Sequence, residues 1–266
     1  MLDSLSPNVK NIYMHTGNIL NLNEVKKKAG QNPTDELIES LKITLSKGDL
    51  KAVEEDSVKI QRLDDDTQTG ITSEDRKGLK IGIKVFVSSP KKETLCEALE
   101  TMFLALNVDF VDSLVLAYPS KAESTTLLPE LQEMWTVLED YTERQKLYTI
   151  GVSDIDTDIF VALHNWAKIK PSIIQINLAS CCVVPPALQE FTKQNDIQLL
   201  THSDPFGNYG EEREILPKSS LNSVFDFTGQ GETTSLELSW ALRFQVHVKC
   251  RGVLASKGYV VCIQRS

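Results

Sequence analysis

No stretch of this sequence reaches the roughly 18 consecutive apolar residues that a membrane-spanning helix requires, so no span is expected. Basic residues are in the minority: 28 Lys and Arg stand against 37 Asp and Glu, for a formal net charge of -9. A chain of that sign lacks a broad basic face to neutralise phosphates or anionic lipid, which argues against nucleic acid and membrane surfaces as partners. Lys26-Lys27-Lys28 is the only basic run near the start and reads as a solvated face. The opening Met1-Leu2-Asp3-Ser4 supplies neither the basic nor the apolar segment of a secretory leader. Cysteine is sparse and irregular. Residues 96, 181, 182, 250 and 262 give no CxxC pair and an odd count, which fits a reducing, cytoplasmic setting better than a disulfide framework. The histidines at 15, 164, 202 and 247 lack metal-ligand spacing, so no metal is expected. A glycine-rich phosphate loop of the GxxxxGK type is absent too.

What is present is a chain of 266 residues, 41% of them apolar, enough for one large packed domain. From Leu79 onward, short β-rich runs alternate with amphipathic stretches. Strands are expected at 79–87, 113–117, 147–153, 173–176, 197–201 and 246–248. A helix is predicted over about 92–106, where Leu95, Leu99, Met102, Phe103 and Leu106 recur at helical spacing. Others are predicted from Pro129 as a first-turn proline, after Asp154 or Asp156 as cap, from Pro185-Pro186, and over about 233–243. Near the front, Asn32-Pro33 opens a helix with Leu37, Ile38, Leu41 and Leu45 in register, after a strand near Ile12–Leu20. Residues 48–78 are highly charged and offer only Val58–Leu63 as a second strand. They and the Gly-, Ser- and acid-rich 203–232 are expected to be mobile loops. Strand followed by helix, repeated, signifies a parallel sheet or barrel.

Particular words decide between those two. Ile150-Gly151-Val152-Ser153-Asp154, Ile169-Lys170-Pro171, Ile174-Gln175-Ile176-Asn177 and Thr201-His202-Ser203 resemble consecutive landmarks of the aldo-keto reductases. Asp112-Ser113-Leu114-Val115-Leu116-Ala117-Tyr118-Pro119 resembles the fourth-strand segment of that family. The resemblance implies an α/β fold of the TIM-type (β/α)8 barrel class, with an irregular second unit and a truncated C-terminal end.

Members of that family reduce carbonyls with a nicotinamide hydride. A tyrosine acts as general acid, tuned by a lysine and an aspartate, and a histidine orients the carbonyl. The resemblance places the lysine at Lys84 but the histidine at Ala117, which has no ring nitrogen. The family's Asp-x-Ala-x-x-Tyr pattern is missing between Gly48 and Gly78, a stretch without any tyrosine. Tyr118 neighbours the histidine position, but adjacent residues of a strand face opposite ways. Loss of the proton donor forfeits on the order of 10²–10⁴-fold in rate. No catalytic residue is therefore expected, Lys84 being a relic or a salt-bridge partner inside the barrel.

A vestigial cofactor site is implied at Ser153 and Gln175, which match the positions that hold the nicotinamide amide. Asp154 replaces the expected Asn and is acceptor-only. His202 stands where an aromatic stacks on the nicotinamide, and Lys249 and Arg251 are placed to meet a phosphate. Lys218, within Ile215-Leu216-Pro217-Lys218-Ser219, looks like the family's 2′-phosphate word but lies too early, in a loop. No cofactor is expected to be required, with residual NADP(H) binding left open and an NADP-dependent reductase as the alternative.

A narrower family resemblance spans nearly the whole chain. His15-Thr16-Gly17-Asn18-Ile19-Leu20-Asn21, Asn177-Leu178-Ala179-Ser180-Cys181-Cys182-Val183-Val184-Pro185-Pro186, Asp196–His202, and Arg251-Gly252-Val253 with Ser256-Lys257-Gly258-Tyr259 are similar to the regulatory (modifier) subunits of glutamate–cysteine ligase. That family implies a heterodimer with the ligase's catalytic subunit, in the first step of glutathione synthesis. Cys181, Cys182 and Tyr259 are candidate partner or redox contacts. The short apolar run after Val248 reads as β rather than as a closing helix, so the tail is expected to leave a barrel flank exposed for docking.

Overall fold

A computed structural model of the protein describes residues 8–23, 25, 32–54, 56–62, 71–118, 124–177, 184–205, 214–225 and 236–265. The chain opens with β1 (Asn11–His15), shorter than the strand expected to reach Leu20, since Ile19–Asn21 is a 3-10 turn. Helix α1 (Pro33–Lys47) starts where its chemistry dictates: the Asn32 side chain accepts the Asp35 N–H at 2.8 Å, and Pro33 takes the first helical position. Leu37, Leu41 and Leu45 are its buried stripe.

In the charged stretch 48–78 the strand expected at Val58–Leu63 is present as β3 (Ser57–Arg62), but the rest is not the mobile loop expected: β2 (Gly48–Glu54) pairs antiparallel with β3, and Ser73–Arg76 forms the single turn α2. Period-2 burial explains the correction. Val58, Ile60 and Arg62 are buried, and Lys59 and Gln61 alternate with them on the other face.

The regular part follows as β4 (Leu79–Val87), α3 (Lys92–Leu106), β5 (Val111–Ala117), α4 (Ser124–Glu143), β6 (Leu147–Ser153), α5 (Thr157–Trp166), β7 (Ile173–Asn177), α6 (Pro186–Gln194) and β8 (Gln198–His202). Strands β4 to β8 pair in parallel, in sequence order. Pro129 lies inside α4 and not at its start. Leu127 and Leu128 pack against the core and extend the helix upstream, so the proline sits a turn deeper than predicted.

The last third departs most from expectation. Within 203–232 a short helix α7 (Lys218–Phe225) forms, and Lys218, placed in a loop above, is its first residue. Residues 206–213 and 226–235 lie outside the described residues. The predicted helix over 233–243 is instead the start of a long strand, β9 (Leu236–Val248), returned by β10 (Val253–Arg265). Leu236, Leu238, Trp240, Leu242, Phe244, Val246 and Val248 occupy every second position, which is strand periodicity.

The hairpin lies between β1 and β4, so the hydrogen-bonded order is β2-β3-β1-β10-β9-β4-β5-β6-β7-β8. The tail expected on an exposed flank is thus a central strand: Tyr259, Val261, Cys262 and Ile263 are each 0% exposed. Gly258 is obligatory there, because a Cβ would stand 2.1 Å from the Gly17 carbonyl oxygen.

The sheet is curled. At ~4.8 Å per strand a flat sheet would hold β4 and β8 about 19 Å apart. Yet Asp204, just past β8, touches Lys84 on β4 at 2.7 Å. The fold is a TIM-type α/β barrel with an irregular second unit and an altered C-terminal end. Ile81, Ile83, Val85 and Val87 of β4 pack outward under the helices, while Lys84 and Phe86 point the other way.

Candidate functional site

The inward positions of the barrel strands are unusually polar, and the polar groups converge. Lys84 is 4% exposed, and its Nζ lies 2.7 Å from Asp204 Oδ2. Across the β4–β9 ladder Lys84 faces Arg243, whose two terminal nitrogens donate to the two oxygens of the same carboxylate. The Phe86 ring lies beside both cations, 5.4 Å from Lys84 Nζ and 5.6 Å from the Arg243 guanidinium carbon.

His202, at the end of β8, links this cluster to a second carboxylate. In the neutral ring its Nδ1 accepts the Asp204 N–H at 3.1 Å, and in the protonated ring the same nitrogen faces Asp204 Oδ2 at 3.1 Å; its Nε2 lies 2.9 Å from Asp154 Oδ1. Asp154 stands in the left-handed region (φ 57°) just after β6, a conformation aspartate tolerates. Its carboxylate also accepts the Asn177 N–H at 3.0 Å.

Burial pushes the Asp204 carboxyl upward. The His202 hydrogen bond, Arg243 and Lys84 overcome that and hold it well below the usual carboxylate range. Burial likewise pulls the His202 imidazole down, and its bonds to Asp154 and Asp204 outweigh that and raise it. Lys84 is therefore one arm of an interior ion cluster. The cluster's other members, Asp204 and Arg243, were not singled out from the sequence. A charged residue in mid-strand, flanked by Leu242 and Phe244, was the available signal for Arg243.

The remaining candidates scatter. Ser153 Oγ and Gln175 Oε1 are buried with no hydrogen-bond partner among the described residues, and Gln175 lines a cavity of about 270 Å³ with Lys80, Lys84, Arg243 and His247. Lys249 and Arg251 do not join them. Because β9 runs antiparallel to β4, its end reaches the amino-terminal rim, where the Lys249 N–H bonds the Gly78 carbonyl; both side chains are exposed there. Ser153 and His202 end their strands at the opposite, carboxyl rim. An expected parallel strand would have put these cations beside the nicotinamide positions, and the reversed strand direction separates them. His202 is tied edge-on by two carboxylates. Among the described residues, the candidates divide between the two rims and do not compose one dinucleotide site.

Tyr259, expected to contact a partner, is buried. Its hydroxyl donates to Glu36 Oε1 at 2.6 Å, and Lys257 Nζ pairs with the same carboxylate at 2.7 Å. Tyr118 packs toward the helix-side core while Ala117 belongs to the other cluster, opposite faces as the strand geometry requires. Lys218 pairs with Glu237 at 3.2 Å. Cys181 and Cys182 lie outside the described residues.

Parallel βα units with an interior lysine on β4 define the class: the chain belongs to the aldo/keto reductase family, whose profile matches residues 65–210. Within it, the chain belongs to the family of glutamate–cysteine ligase regulatory subunits. It is similar to the rat protein of that name, with 34% identity over 96% of this chain and 93% of that one. The human protein of the same name is 32% identical over 98% of this chain and 96% of that one. Among solved structures, aldose reductase from Giardia lamblia aligns over 74% of this chain and 62% of that one, at 20% identity and a TM-score of 0.39.

Proposed function

We propose that this chain is a non-catalytic regulatory subunit that forms a heterodimer with the catalytic subunit of glutamate–cysteine ligase. In that role it raises the catalytic subunit's apparent affinity for glutamate and relaxes inhibition by glutathione, in the cytoplasm. The observation that carries this reading is the end-to-end similarity to proteins named as that regulatory subunit. Chemistry supports it. The position expected to orient a carbonyl is Ala117, and the Tyr259 hydroxyl donates to Glu36. A barrel of this kind acts on another protein by favouring one of its conformations, and the effect is a coupling free energy between the two subunits.

The test is co-purification with the catalytic subunit, followed by ligase rate against glutamate, with and without glutathione. Addition of this chain lowers the apparent KM for glutamate and weakens glutathione inhibition. An unchanged curve in the presence of a stoichiometric complex defeats the reading.

No nicotinamide cofactor takes part in this scheme. The placement of Lys249 and Arg251 at the rim opposite Ser153 supports that, since it parts the phosphate candidates from the nicotinamide candidates. One observation favours the other reading, an NADP-dependent reductase: the unpartnered Ser153 Oγ and Gln175 Oε1, where an amide would find bonds. Oxidation of NADPH with a panel of aldehydes separates the two. Robust turnover selects the reductase, and none is expected.

A further inference from the structure

Among the described residues, one face of the irregular second unit carries no covering helix. Helix α1 covers β1, β2 and β3 on the side of Val58, Ile60 and Met14. Tyr13, Ser57, Lys59 and Gln61 point the opposite way, by the alternation of the strands. In a βα barrel the helix after β3 covers this side. Here the described residues of that connection contribute α2, four residues long and packed on β4. The neighbouring helix, α3, packs on β4, β9 and β10 and reaches β1 through Glu97, which accepts the Tyr13 hydroxyl at 2.6 Å. Among the described residues, no helix fills the slot between α3 and the β2–β3 hairpin.

The slot is a groove of about 310 Å³, lined by Tyr13, Val53, Lys59, Thr101, Leu104 and Ala105 among others. Leu104 is 82% exposed and Val53 56%, both at its rim. Large apolar side chains of that exposure, gathered at a concave site, mark an association surface. The charge pattern is specific. Lys59 pairs directly with Lys51 across the hairpin, a like-charge pair that costs stability. Burial, reinforced by Lys51, pulls the half-buried Lys59 ammonium down. A carboxylate supplied from outside relieves both.

We infer that this groove, between α3 and the β2–β3 hairpin, receives an amphipathic helix of the ligase catalytic subunit, with apolar side chains against Leu104 and Val53 and acidic residues facing Lys51 and Lys59. The inserted helix takes the place that the described residues of the second βα unit leave uncovered. The inference rests on the regulatory-subunit reading and gives its docking surface. Helix-in-groove binding of this kind places a few apolar anchors in the centre and charges at the edge.

Binding of the full chain to the catalytic subunit is measured by surface plasmon resonance at several salt concentrations. The variants are Leu104→Asp, the pair Lys51→Glu with Lys59→Glu, and the conservative Lys59→Arg. Leu104→Asp weakens the complex by about tenfold or more, the level of an interface anchor, while the thermal midpoint of the isolated chain stays unchanged. The charge-reversed pair binds more slowly and loses the wild-type salt dependence, and Lys59→Arg keeps it. Wild-type affinity in Leu104→Asp overturns the inference and leaves the regulatory reading standing. A lowered midpoint of the isolated Leu104→Asp chain overturns it too, showing the groove covered by the chain's own residues. An isolated wild-type dimer that Leu104→Asp dissociates assigns the groove to a second copy. Failure of the wild-type chain itself to bind removes both the reading and the groove's proposed occupant.

Discussion

Asp204 is the residue on which the barrel interior turns. One carboxylate serves Lys84, both terminal nitrogens of Arg243 and the His202 ring, and all of these are at most 13% exposed in their side chains. Replacing Asp204 by Asn leaves two buried cations without their counter-ion, and breaking a buried pair this way costs about 3–5 kcal/mol. Urea unfolding of Asp204→Asn against wild type measures that loss. The sign of its pH dependence follows from the depressed folded-state carboxyl. The contribution is fully present above the unfolded aspartate value, about 3.9, and is lost as pH falls through the folded value. The gap between variant and wild type therefore holds at neutral pH and narrows below about pH 4. A gap that grows on acidification contradicts the assignment. His202 works in the other direction: its raised value gives stability below about pH 6.5 that fades as pH rises through the folded value. Lys84 was visible in the sequence through the resemblance of its strand to the family's lysine-bearing one. Asp204 was not, because its partners lie 120 and 39 residues away and only the curl of the sheet brings them together.

At the scale of elements, the strands and helices from Leu79 to His202 were legible because they carry one clean period and, the start of α4 apart, a recognisable end. Helix α3 is such a case, with six buried apolar residues at helical spacing and Asn107 closing it in the left-handed region. The β9–β10 hairpin was missed for a physical reason. The run Trp240-Ala241-Leu242 is apolar at three successive positions because both faces of β9 are buried, and it masks the alternation around it. Once paired, β10 ceases to be an appendage, since it hydrogen-bonds β1 on one side and β9 on the other. Removing residues 251–266 therefore unfolds the chain and does not merely free it from a partner, and circular dichroism with a thermal scan shows loss of the cooperative transition. Ile263→Ala, a gentler probe of the same strand, costs about 2–5 kcal/mol, as large-to-small changes at fully buried sites do. A truncated chain that melts cooperatively near the wild-type temperature contradicts the topology.

Across the whole molecule, holding the barrel together and meeting the partner fall to different residues. The interior cluster joins the carboxyl end of β8 to β4 and β9, and its charges are matched by partners within the chain. The groove beside α3 does the reverse: it leaves Lys59 and Lys51 facing each other with Leu104 exposed. The two sets share no residue, so their substitutions are expected to act independently, as distant sites do within about 0.3–0.5 kcal/mol. Leu104→Asp changes the affinity for the catalytic subunit and leaves the urea midpoint in place. Asp204→Asn lowers the urea midpoint and, at a temperature where it stays folded, leaves the affinity in place. The double variant then shows the sum of the two effects in each measurement. A coupling well above that limit, read as weaker docking in Asp204→Asn than in wild type, places the curl of the sheet within the binding event. The partner would then be sensing the closed state of the barrel as well as its open flank.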